Sequence, residues 1–129
     1  MSSSVLAWKT QYVTQRVLIV DDHAGFRSMA RTLLESEGLE VVGEARTGDE
    51  TIAACVLLRP GLVLLDVHLP GEDGFAVAER LAGLPDAPIV VLISSRPAAD
   101  IRRRLGSTSA AGFIRKSDLS AAAIAAIIG

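Results

Sequence analysis

The stretch Leu62-Val63-Leu64-Leu65-Asp66-Val67-His68-Leu69-Pro70-Gly71-Glu72-Asp73-Gly74 runs four aliphatic residues straight into one carboxylate, and a turn rich in Pro and Gly follows at once. A continuous apolar run bounded by turn residues predicts a strand buried on both faces, as in a parallel sheet. Asp66 then stands where that strand leaves the core and enters a loop. Taken alone, an Asp in this place is most simply a turn former, because its side chain satisfies nearby backbone groups. Whether it is more depends on what the rest of the chain brings beside it.

Working outward, Val17-Leu18-Ile19-Val20 is a second buried-strand pattern, and it ends in Asp21-Asp22-His23. Ile89-Val90-Val91-Leu92-Ile93 ends in Ser94-Ser95, and the short Gly112-Phe113-Ile114 ends in Arg115-Lys116. Leu39-Glu40-Val41-Val42-Gly43-Glu44 mixes charge into its pattern, as a sheet edge does. Between the strands lie amphipathic helices. Phe26, Met29, Ala30, Leu33 and Leu34 form one apolar stripe, and Gly38 is placed to stop that helix. Thr47 to Leu58 begins with a capping pair, Thr47 and Glu50, and Pro60 closes it. Shorter helices are predicted over 73–81 and 97–105. The last helix, 119–128, is expected to be capped by Ser117. It carries no charge, which predicts burial on more than one side, through a homodimer or partner or under the leader that contains Trp8.

Five β-α units in this order predict a single-domain α/β fold, a doubly wound parallel sheet with right-handed crossover helices on both faces. Residues 1–15 read as an N-terminal tail, flexible or loosely docked, and 16–129 as the domain. In such sheets ligands bind outside the carboxyl ends of the strands. Asp21, Asp22, Asp66, Ser94 and Lys116 all end strands, so all fall on that edge. Three carboxylates so close repel one another, and a divalent cation removes the conflict. Magnesium takes one or two carboxylates with waters and phosphate oxygens. Asp22 and Asp66 are the expected direct ligands, Asp21 acts through water, and the backbone carbonyl of His68 offers another oxygen. A remaining Asp66 oxygen can attack a phosphoryl group to form an aspartyl phosphate. Lys116 would neutralise phosphoryl oxygens and the Ser94 hydroxyl would donate to one of them.

These residues give the chain its resemblance to a known family. Val17-Leu18-Ile19-Val20-Asp21-Asp22-His23, Asp66 with Pro70-Gly71-Glu72-Asp73-Gly74, Ser94, and Gly112-Phe113-Ile114-Arg115-Lys116 resemble the receiver domain of bacterial two-component response regulators, over residues 16–128. Val41-Val42-Gly43-Glu44-Ala45 and Asp22-His23 are similar to the subgroup joined to a LuxR-type helix-turn-helix domain. The resemblance implies a flavodoxin-like (βα)5 fold with strand order 2-1-3-4-5. It makes Asp66 the phosphoacceptor, and Asp21, Asp22, Asp66 and the His68 carbonyl the Mg2+ site. Lys116 becomes the phosphate-contacting lysine, and Ser94 and Phe113 the switch pair. It implies a sensor histidine kinase or phosphotransfer protein as donor, and an output surface on the fourth helix, fifth strand and fifth helix that also serves a homodimer. Phe113 stands where tyrosine is frequent, and Ser117 where proline often follows the lysine.

Composition sets outer bounds. Half of the 129 residues are hydrophobic and 22% are charged, so a packed core is expected. The net charge of -2 argues against broad binding to nucleic acid. One cysteine, Cys55, excludes a disulfide framework and reads as a buried, inert thiol. No apolar run reaches the ~20 residues of a membrane span, and a cytoplasmic location is expected. His23 and His68 show no partner pattern and are not read as transition-metal ligands. Arg102-Arg103-Arg104 is read as a solvated helix face or a docking patch for an acidic partner. A haloacid-dehalogenase-type hydrolase would want a second carboxylate two residues after its nucleophile, where this chain has His68, and a cap for which it has no material. A module that keeps the fold but signals without phosphate is the other competing function. The expected output is transcriptional control through a DNA-binding domain outside this chain, which itself is not an enzyme.

Overall fold

Five strands, β1 (Arg16–Val20), β2 (Glu40–Ala45), β3 (Leu62–Asp66), β4 (Ile89–Ser94) and β5 (Gly112–Arg115), form one parallel sheet in the order β2-β1-β3-β4-β5. This is the computed structural model of the chain, and it describes residues 15–96 and 99–129. Aliphatic side chains alternate between the two faces of the sheet, which is why the central strands need apolar residues at every position. Val17, Ile19, Leu62, Leu64, Val91 and Ile93 point to one face and pack under α1 (Ala24–Ser36) and α5 (Ala121–Ile128). Leu18, Val20, Val63, Leu65, Val90 and Leu92 point to the other, beneath α2 (Gly48–Leu58), α3 (Gly74–Ala82) and α4 (Ala99–Leu105). Every side chain from Leu62 to Leu65 is fully buried. Each such burial contributes about 1.5–3 kcal/mol. The mixed-charge strand β2 is indeed at an edge.

Local chemistry sets the helix ends. Gly38 takes a φ of 95°, in the left-handed region, and the chain reverses after α1 with the Leu39 N–H donating to Leu34 O at 3.0 Å. Thr47 caps α2 through its hydroxyl, which accepts from the Glu50 N–H at 3.1 Å. Glu50 reaches back past Thr47 to the Arg46 N–H at 2.9 Å. Asp73 caps α3, accepting from the Ala76 N–H at 2.9 Å.

Two expectations need correction. Met29 lies on the predicted apolar stripe but is 47% exposed, because α1 turns only Ala30 and Leu34 fully inward. Ser117 does not cap the last helix: Lys116–Asp118 form a 3-10 turn. Leu119 is then extended and buried among the residues under α1, and only after it does Ser120 cap α5, accepting from the Ala123 N–H at 2.9 Å. Burying Leu119 thus displaces the helix start from 119 to Ala121. Among the described residues α5 buries Ala121 and Ile124 and leaves Ala122 and Ala126 exposed. The tail over 1–14, with Trp8, and the helix start at Pro97 lie outside the described residues. Ser120→Ala should cost about 1 kcal/mol of stability in urea unfolding, whereas Ser117→Ala should change it by less than about 0.5 kcal/mol.

Cys55 is buried as expected, and burial pushes its thiol up to about 11. Among the described residues no helix is long and apolar enough to cross a membrane.

Candidate functional site

The sheet register delivers the polar strand ends to one edge. Val20 pairs with Leu65, Asp66 with Ile93, and Ser94 with Arg115, so the residues that follow these positions emerge side by side. Asp21 is 0% exposed and Asp66 3%, while Asp22 stands at the rim. The Lys116 ammonium forms an ion pair with Asp21 Oδ2 and lies 3.6 Å from Asp66 Oδ2. It also sits 4.5 Å from the centroid of the Phe26 ring, a cation–π contact that holds the lysine stem over α1. Asp21 Oδ1 accepts from the His23 N–H at 2.8 Å. Asp66 Oδ1 accepts from the His68 N–H at 3.1 Å, which folds the backbone of His68 back over the carboxylate. Ser94 is fully buried, and its hydroxyl accepts from the Arg96 N–H at 3.0 Å. Phe113 is half-buried on β5 against the core beneath α2, α3 and α4.

Burial raises the Asp66 carboxyl above its ordinary value. The His68 N–H opposes that shift, Asp21 adds to it, and Lys116 opposes it again; the net direction is upward. Three carboxylates face one ammonium here, so the edge carries excess negative charge. Asp21 Oδ2 is buried and, apart from the Lys116 charge, accepts no hydrogen bond. Asp21, Asp22, His23 and Asp66 each offer a donor atom, and these atoms all lie within 4.8 Å of one another. An acidic pocket of this kind is compatible with a divalent cation.

Several residues that shape the site carried little signal in the sequence. Gly74, at the end of the Pro/Gly turn, donates its N–H to Val67 O at 2.7 Å. A Cβ there would lie 2.4 Å from Asp66 O and 2.8 Å from Val67 Cα, so only glycine lets α3 start this close to Asp66. Arg27 looks like a solvated helix residue. It donates to the Asp21 carbonyl at 2.7 Å and to Glu44 at 2.9 Å, tying the β1 exit to α1 and β2. Arg104 is drawn from its basic run onto the rim, 3.2 Å from Asp73 and 4.0 Å from the Phe75 ring centroid. His23 showed no partner pattern in the sequence; its Nδ1 lies 3.2 Å from Asp21 Oδ1 and 3.1 Å from Asp22 Oδ1.

The family described as "Response regulator receiver domain" matches residues 17–128. The chain is 37% identical over 103 residues to the virulence-factor transcription regulator BvgA of Bordetella pertussis, covering 80% of this chain and 49% of BvgA. It is 44% identical over 80 residues to the transcriptional regulatory protein PdtaR of Mycobacterium tuberculosis, covering 62% of this chain and 39% of PdtaR. The chain thus spans about half the length, or less, of these curated relatives. Among solved structures it is similar to the signal receiver domain of the response regulator NarL from Mycobacterium tuberculosis. The TM-score is 0.77 at 31% identity, over 88% of this chain and 96% of that one.

Proposed function

The chain belongs to the response-regulator receiver family, and from that premise we propose that Asp66 is its phosphoacceptor in a Mg2+-dependent transfer. The observation that carries this reading is the position of Asp66: buried, 3.6 Å from the Lys116 ammonium, and inside a cluster of donors suited to a divalent cation. The donor is a phosphohistidine on a sensor histidine kinase or phosphotransfer protein. An Asp66 carboxylate oxygen attacks phosphorus and forms the O–P bond as the N–P bond breaks. The histidine ring leaves with the electron pair and is reprotonated, and nothing is oxidised or reduced.

Asp21, Asp22, Asp66 and the His68 carbonyl would hold magnesium, which when bound neutralises charge on the phosphoryl oxygens. Lys116 neutralises the same oxygens from the β5 side, and the Ser94 hydroxyl donates to one of them. Engaging Ser94 takes its oxygen from the Arg96 N–H, and the Phe113 ring follows. In this way a local charge biases the surface of α4, β5 and α5. That surface is where a second copy of the chain or another partner would read the signal. That BvgA and PdtaR are transcription regulators supports transcription control, exerted through a DNA-binding domain outside this chain.

Incubation with acetyl phosphate and MgCl2 should add one phosphoryl group by intact mass, and EDTA should prevent it. No gain in mass with magnesium present would overturn this reading in favour of a receiver that signals without phosphate.

A further inference from the structure

We infer that Phe26 is a positioning residue for the phosphoryl transfer: the face of its ring keeps the Lys116 ammonium in reach of Asp66 while the lysine exchanges Asp21 for the phosphoryl oxygens. Phe26 thus acts through Lys116, and its role rests on the reading of Asp66 as phosphoacceptor. The Lys116 Nζ stands 4.5 Å from the centroid of the Phe26 ring. The same ammonium is ion-paired to Asp21 and lies 3.6 Å from Asp66 Oδ2. To neutralise phosphoryl oxygens on Asp66 it has to turn from Asp21 toward them. The ring is the contact it can keep throughout.

An uncharged platform suits this task for a physical reason. A lysine carries a compact charge on a flexible stem, and that stem has no fixed geometry of its own. Lys116 opens a 3-10 turn that has no side-chain cap, with Ser117 next, so little in the turn itself aims the side chain. Carboxylates hold an ammonium at particular oxygens. A ring face attracts it through the quadrupole over a broader area, so the lysine moves between anions without leaving the ring.

The platform is also anchored. Phe26 lies in the first turn of α1, half-buried and packed against the buried cluster beneath α1 and α5. The next residue, Arg27, donates to the Asp21 carbonyl at 2.7 Å, so the ring and the end of β1 belong to one tied corner. The Lys116 side chain is only 14% exposed. With water largely excluded, the contact falls toward the strong end of the cation–π range, and its loss should slow phosphoryl uptake about tenfold.

The test compares wild type with Phe26→Leu, which keeps an apolar side chain but no ring, and Phe26→Tyr, which keeps the ring. The chain has two lysines, Lys9 and Lys116, so 13C-lysine labelling reads the contact directly, with Lys9→Arg identifying the signals. In metal-free wild type the ring current should shift the Lys116 ε-methylene protons upfield. Phe26→Leu should abolish that shift and Phe26→Tyr should keep it. With acetyl phosphate and MgCl2, the rate of phosphoryl uptake by intact mass should fall about tenfold in Phe26→Leu and stay within about threefold of wild type in Phe26→Tyr. Urea unfolding ensures that rates are compared where each variant is folded. Phe26→Leu as fast as wild type, both variants slowed alike, or no upfield shift in wild type would overturn the inference. Normal wild-type uptake with an unimpaired Phe26→Leu sinks the Phe26 role alone, whereas absent uptake in wild type sinks the phosphoacceptor reading and the role with it.

Discussion

Lys116→Met should destabilise the domain by about 3–5 kcal/mol in metal-free buffer at neutral pH, the cost of stranding one member of a buried ion pair. Methionine roughly preserves the length and apolar stem of lysine, so the loss reports charge more than volume. The stranded group is Asp21, which is fully buried and whose Oδ2 has no other partner than the Lys116 ammonium. Asp66 loses its cation at 3.6 Å in the same step. Urea unfolding measures the change. Adding Asp21→Asn to the variant should recover much of the loss, because the neutral amide no longer needs a counter-charge in the core. Millimolar MgCl2 should recover part of it too, since an ion that binds only the folded state stabilises it. A loss below about 1 kcal/mol would mean that the lysine is effectively solvated and its pairing weak.

Asp66→Asn has two expected effects of opposite character. Phosphoryl uptake from acetyl phosphate should vanish, because an amide cannot form the acyl phosphate. Stability without metal should rise at neutral pH, and the sign follows from the raised carboxyl. Burial and Asp21 hold the folded Asp66 above its ordinary value of 3.8, so the folded state keeps its proton to higher pH than the unfolded state. Stability therefore falls as pH climbs from near 3.8 through the folded value, and above that value the full cost of an ionised, buried Asp66 is present. Asparagine removes that cost, so the variant and wild type should converge below about pH 4 and diverge above it. Urea midpoints at both pH values check this; a variant less stable than wild type at pH 7 would mean that the Lys116 contact outweighs burial. With MgCl2 present the comparison should move back toward wild type, which keeps the ligand.

What the sequence made legible was the part written in continuous local patterns. The run Leu62–Leu65, bounded by turn residues, predicted a strand covered on both faces, and the structure buries all four side chains completely. The mixed-charge pattern of β2 marked a sheet edge for the same reason, a lack of cover on one side. Asp21, Asp22, Asp66 and Lys116 were legible because they sit at strand ends, and parallel topology forces those ends together. What stayed illegible depends on contacts between distant residues. Nothing in the local sequence separates Ser117 from Ser120 as a cap; the choice is made by Leu119, which turns into the core under α1 before the helix can start. Arg27 gives no local sign that it will bond the Asp21 carbonyl, nor Arg104 that it will lie on Phe75. Gly74 was readable as part of a turn, but its need for an absent side chain comes from Asp66 and Val67, eight and seven residues earlier in the chain.

The central claim is that Asp66 accepts the phosphoryl group, and chemical trapping of the acyl phosphate tests it most directly. After incubation with acetyl phosphate and MgCl2, borohydride reduction should convert the phosphorylated aspartate to homoserine. Peptide mass mapping should then find homoserine at position 66 and nowhere else. Homoserine at another aspartate, or a phosphoryl-bearing chain with Asp66 unreduced, would contradict the assignment.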